Sequence, residues 1–137
     1  MGTWGPGNFE NDDAAEYLIR LCKPLVEQIR STVAQPQLLQ PDEPDSDIMM
    51  ANVEILAVLG SSIGKTRNDE IGHLIFPFPL PASEEVVRWK HKYLEVWDGY
   101  IDQLGPSVDY KEGRRRVIVD AFDHLIAVSK AGPPVKE

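Results

Sequence analysis

The chain has one cysteine, Cys22, in 137 residues, which excludes an internal disulfide and the stapled frameworks of small secreted domains. It has no C-x-x-C pair and only three histidines, so the ligand spacing of zinc sites is missing and neither metal nor cofactor is expected. Basic residues are in the minority. Fourteen Lys and Arg against 22 Asp and Glu leave a formal charge of -8, which repels a phosphate backbone and argues against nucleic acid as a partner. Apolar runs such as the one near Ile55 to Leu59 fall far short of the ~20 residues that cross a bilayer, so no membrane span is expected. The N-terminus lacks a basic region followed by an apolar stretch, which argues against a secretory signal and for a reducing cytoplasm. A myristoylation site is also unsupported, because Pro6 stands where Ser or Thr is needed.

What is present is ordinary for a globular protein: 42% hydrophobic and 26% charged residues. The length suits one domain with one core, predicted over residues 1–132 with a tail over 133–137. Gly2, Gly5, Pro6 and Gly7 surround Trp4 and Phe9, a turn-rich composition with two aromatics worth burying, which suggests a docked arm. Asn11, Asp12 and Asp13 then offer capping side chains and negative charge at a helix start. Ala14, Leu18, Leu21, Cys22, Leu25, Ile29 and Val33 recur at helical spacing and keep their phase across Pro24, so one kinked helix is preferred to two, closing at Pro36.

The proline- and acid-rich stretch from Gln35 to Asp47 reads as an exposed connection ending in a cap at Ser46 or Asp47. A second helix follows with Ile48, Met49, Val53, Leu56 and Leu59 on its apolar face and a stop at Gly60. Residues 61–82 show no sustained period and read as a long connection, with one helical turn near Asp69 to Leu74 and extended or polyproline backbone around Pro77, Pro79 and Pro81. Ser83, Glu84 and Glu85 open a third helix carrying Val86, Val87, Tyr93, Leu94, Trp97, Ile101 and Leu104 up to Gly105 and Pro106. A fourth, from about Lys111 to Lys130, carries Val117, Ile118, Ala121, Phe122, Leu125 and Val128. The prediction is an all-α fold: an irregular bundle of about four amphipathic helices with an N-terminal arm and a long middle connection.

The opening M-G-T-W-G-P-G-N-F-E-N-D-D-A resembles the signature of a bacterial family, domain of unknown function 4259, whose members begin M-G-x-W-G-x-G-x-F-x-N-D-D-A. The resemblance implies a helical fold and a bacterial origin. It marks Gly2, Trp4, Gly5, Gly7, Phe9, Asn11, Asp12 and Asp13 as signature positions and carries no activity with it.

Several segments invite chemistry. G-S-S-I-G-K-T at 60–66 approaches a phosphate-binding loop, but three residues separate its glycines where four are needed, and it follows a helix where a strand is needed. Glu70 and His73 make one E-x-x-H, where a di-metal bundle needs two with further glutamates. His91 with Glu95 and Asp120 with His124 lie four apart, a spacing that suits local pairing as well as a ligand pair. Asp42, Glu43, Asp45 and Asp47 lack calcium-loop spacing. Arg114, Arg115 and Arg116, the only basic run, could hold a phosphate or pair with nearby acids. Asp12 and Asp13 could act as acid and base, though capping accounts for them.

Two functions follow. The first is a small acidic module that binds another protein, with charge favouring a basic one, in the manner of an immunity-type inhibitor. The alternative is an enzyme whose carboxylates and histidines, among Asp12, Asp13, His73, His91 and His124, converge only in the fold. The balance favours binding over catalysis, because no catalytic constellation is apparent.

Overall fold

A computed structural model describes residues 7–8, 11–67 and 80–131. Helix α1 spans Asp12–Val33, α2 Pro44–Arg67, α3 Ser83–Tyr100 and α4 Val108–Ala131. Among the described residues there is no strand, and the four helices pack on one another as a bundle. The most extensive contact is between α2 and α4, followed by α3 with α4 and α1 with α2.

Asn11 is the N-cap of α1: its Oδ1 accepts from the Ala14 amide at 2.8 Å, and Asp12 and Asp13 lie in the first turn against the helix dipole. The helix continues through Pro24 as one element. It buries Ala15, Leu18, Cys22, Val26, Ile29 and Thr32, a stripe turned slightly from the predicted one. Ala14 gives way to Ala15, Leu25 to Val26, and Leu21 faces solvent. Both stripes have helical spacing, and the neighbouring helices decide between them.

The connection after α1 is less exposed than predicted. Pro36–Leu39 form a 3-10 turn and Leu39 is fully buried, so this short stretch adds a side chain to the core. α2 begins at Pro44, where a proline loses nothing by lacking an amide hydrogen. Ser46, predicted as a cap, is instead inside the first turn and fully buried. The predicted stop at Gly60 is also overturned: α2 runs on to Arg67. Gly60 is there for close approach. A Cβ at this position would stand 2.5 Å from Val128 Cγ1 and 3.0 Å from Leu80 Cδ1, so the bare backbone lets α2 lie against α4 and the chain entering α3. The helical turn predicted near Asp69 to Leu74 lies outside the described residues.

Ala82 is the N-cap of α3, with extended backbone and no capping side chain. Val86, Trp89, Tyr93 and Trp97 are buried along one side, spaced by three, four and four. The sequence reading left Trp89 out of this face and included Leu104, which is exposed. After Tyr100 the helix tightens into a 3-10 turn over Ile101–Leu104, and Gly105 ends it at φ 65, ψ 44, the left-handed conformation that glycine adopts without steric cost. Ser107 Oγ then accepts from the Tyr110 amide at 3.1 Å, starting α4 three residues before the predicted Lys111. Ile118, Ala121, Phe122 and Leu125 face the core; Val117 is exposed. The Tyr93 and Phe122 rings meet at 5.7 Å with planes tilted by 57°, a favourable aromatic geometry.

Candidate functional site

Of the signature residues, Gly2, Trp4, Gly5 and Phe9 lie outside the described residues, so the docking of the two aromatics does too. Gly7 is half-buried; Asn11 caps α1, and Asp12 and Asp13 are exposed in its first turn. His91 and His124 are exposed on α3 and α4, and Glu70 and His73 lie outside the described residues. Among the described residues no three His, Cys, Asp or Glu side chains gather as metal ligands would. Cys22 is buried, and desolvation pushes its thiol above the ordinary value, which suits a core residue rather than a nucleophile. The G-S-S-I-G-K-T segment is helical throughout 60–66, so its backbone amides are taken up in the helix ladder rather than free to cradle a phosphate.

Charged side chains tie the helices together at the surface. Arg30 of α1 donates to both carboxylate oxygens of Glu85 of α3, at 2.7 and 2.8 Å. Arg115 of α4 grips Asp98 of α3 in the same two-pronged way, at 2.9 Å for each bond. These hydrogen bonds hold the Glu85 and Asp98 carboxyls below their ordinary values, against the opposing pull of partial burial. Lys90 pairs with Asp123 and Lys111 with Asp102, each at 2.8 Å. Of the basic run, then, Arg115 is firmly held, whereas the nearest approach of Arg114 to Asp47 is 3.9 Å.

Two features stand out that the sequence reading missed. The first is a cleft of about 220 Å³ at one end of the bundle, between the start of α2, the last turns of α3 and the first turns of α4. Trp97, Ile101, Leu104 and Tyr110 supply apolar and aromatic walls, Tyr93 closes the deep side, and Asp47 and Arg114 stand at the polar side. Tyr93 Oη and Ser46 Oγ share a hydrogen bond of 2.7 Å, and Tyr93 also donates to the Ser46 carbonyl at 3.4 Å. Burial raises the Tyr93 phenol above its ordinary value, with the Asp47 charge adding to it; the Ser46 bond and the charge and hydrogen bond of Arg114 pull it the other way. These residues are far apart in sequence, so only the fold brings them together.

The second is the outer side of α2. Ile48, Ile55 and Val58 are 43%, 44% and 51% exposed, and with exposed Ala51 they form a continuous apolar stripe. An open groove of about 400 Å³ lies along it, bounded by Glu54 and Leu59. Between Pro44 and Ser62 every charged residue is acidic: Asp45, Asp47 and Glu54.

Architecture and surface thus define an all-α bundle with a recessed cleft at one end and an apolar, acid-bordered face on α2. The chain belongs to the family Domain of unknown function (DUF4259), whose model matches residues 2–129. No curated protein and no solved structure matches it. No helix among the described residues is long and apolar enough to cross a membrane.

Proposed function

We propose that this protein is a binding module that holds another protein through the outer face of α2, and that the partner presents an apolar centre ringed by Lys and Arg. The observation that carries this reading is the unpartnered stripe of Ile48, Ala51, Ile55 and Val58, beside which the only charges between Pro44 and Ser62 are acidic. Apolar side chains lining one side of a surface helix and exposed to water gain free energy when covered, at about 25 cal/mol per Å². Charge complementarity then selects what covers them: an acidic rim on a chain of net charge -8 repels a second copy and attracts a basic surface. An inhibitor of a basic enzyme is one concrete form, and the buried free thiol of Cys22 fits a reducing, cytoplasmic setting. The enzyme alternative finds less support. His91, His124, Asp12 and Asp13 are exposed on three different helices, and none of them lines the cleft or the α2 groove.

The test uses a synthetic amphipathic helix of leucine and lysine as probe and its leucine and glutamate counterpart as control, titrated against the full chain. The lysine peptide is expected to bind, with affinity falling as salt rises, and Ile55→Glu is expected to weaken it roughly tenfold or more while leaving the thermal melt unchanged. Equal binding of the glutamate peptide would remove the charge argument. Sedimentation showing a homodimer that Ile55→Glu dissolves would assign the face to self-association instead.

A further inference from the structure

We propose that the cleft between α2, α3 and α4 is a binding site for a small aromatic carboxylate, with Arg114 receiving the carboxylate and Trp97, Tyr110 and Tyr93 enclosing the ring. This site is separate from the outer face of α2 and does not depend on that reading.

Size comes first. An apolar cavity of about 150 Å³ can hold benzene, so a cleft of about 220 Å³ has room for one ring and a small substituent, but not for a nucleotide. Wall chemistry comes second. Three aromatic side chains together with Ile101 and Leu104 favour a flat apolar body, which can stack or meet them edge to face. The polar group comes third. Arg114 is only 27% exposed, and its sole ion-pair neighbour among the described residues is the 73% exposed Asp47 at 3.9 Å, beyond hydrogen-bond length. Arg30 and Arg115, by contrast, are each locked on a carboxylate through two short bonds. Beside its contact with the Tyr93 hydroxyl, the five-donor fork of Arg114 keeps the capacity for a planar, two-oxygen acceptor at the mouth of a recess that mixes polar and apolar walls. One guanidinium beside one carboxylate also limits the charge that can be accepted: a single negative charge suits the site better than the double charge of a phosphate monoester. The Ser46–Tyr93 bond fixes the deep wall, so the recess needs little rearrangement to be filled.

Benzoate is the probe, with benzyl alcohol keeping the ring without the charge and acetate keeping the charge without the ring. Two-dimensional NMR on the full chain should show saturable benzoate shifts at the Trp97 indole N–H and the Arg114 Nε–H, with both controls roughly tenfold weaker or worse, since a hydrogen bond to a charged group and the burial of a ring are each worth more than that factor. Arg114→Gln should weaken benzoate by a similar factor, whereas Arg116→Gln, on the exposed neighbouring position, should not. Tyr110→Ala supplies a second variant in which the guanidinium is kept and one wall is lost; it too should weaken benzoate. The spectra themselves show whether each variant remains folded. Acetate matching benzoate, benzoate unaffected by both Arg114→Gln and Tyr110→Ala, or shifts confined to residues away from the cleft would each overturn the assignment.

Discussion

Ser46 and Tyr93 lie 47 positions apart and depend on each other. Both residues are buried, and their hydroxyls share the 2.7 Å bond. Tyr93→Phe strands the Ser46 hydroxyl in the core, which should cost about 1–3 kcal/mol. Ser46→Ala should cost less, because Tyr93 keeps the Ser46 carbonyl as an acceptor. The double variant should be less destabilised than the sum of the two, as both partners of one buried bond are then gone. Urea unfolding of the four proteins measures the coupling; strict additivity would show that the bond contributes nothing. This role was not readable beforehand. A serine just ahead of an apolar run looks like a cap, and its true partner is defined only once folding brings Tyr93 of α3 to the start of α2. The same limit explains why the spacing alone does not place Trp89 on the buried face, whereas Asn11 is readable as a cap because capping is local.

At the scale of the element, a helix interior and a helix end can carry the same residue for opposite reasons. In the sequence Gly60 suggests a stop, because glycine suits a left-handed terminus; the structure has it mid-helix, where it permits contact with Val128 and Leu80. Gly60→Ala offers a test, since two effects compete. Helix propensity should gain about 1 kcal/mol, while overpacking a tight contact costs typically about 1–3 kcal/mol. At 2.5 Å from Val128 Cγ1 the clash wins, so the variant should melt lower than the parent protein. Removing the obstructing methyl groups with Val128→Ala should make Gly60→Ala less harmful in that background than in the parent. A higher melting temperature for Gly60→Ala alone would show that α2 and α4 do not approach so closely. The existence of each helix was evident from its period, because burial on one side imposes that period. The extent of α2 was not, because it depends on what packs against it.

For the whole molecule, the two-pronged pairs join α3 to α1 and to α4, and they make stability depend on pH in a definite direction. Glu85 and Asp98 ionise below their ordinary values of 4.5 and 3.8 in the folded state because arginine hydrogen bonds favour the charged form. Their contribution is therefore complete above the unfolded-state range and is lost as pH falls through the lowered folded values. Glu85→Gln combined with Asp98→Asn should lower stability at neutral pH by about 0.5–2 kcal/mol for the two partly exposed pairs together. The difference from the parent should shrink as the medium is acidified, as read from urea midpoints across pH. A gap that stays constant to strongly acid conditions would mean that the pairs titrate no differently in the folded and unfolded chains. The bundle as a class was predictable from four periodic segments. The cleft was not, since its residues run from Pro41 to Arg114 and no spacing links them.

The placement of Trp89 and Trp97 about two turns apart on α3 has an optical consequence. Both indoles are shielded from water, so their emission should be blue-shifted in the native protein and should move to the red when the helices separate. They also look out on different surroundings: Trp89 borders Arg30, Glu85 and Lys92, while Trp97 borders the cleft beside Tyr110 and Arg114. This one helix thus carries two chromophores with different views. One registers how α1 sits against it, and the other lies where anything entering the recess would alter its light.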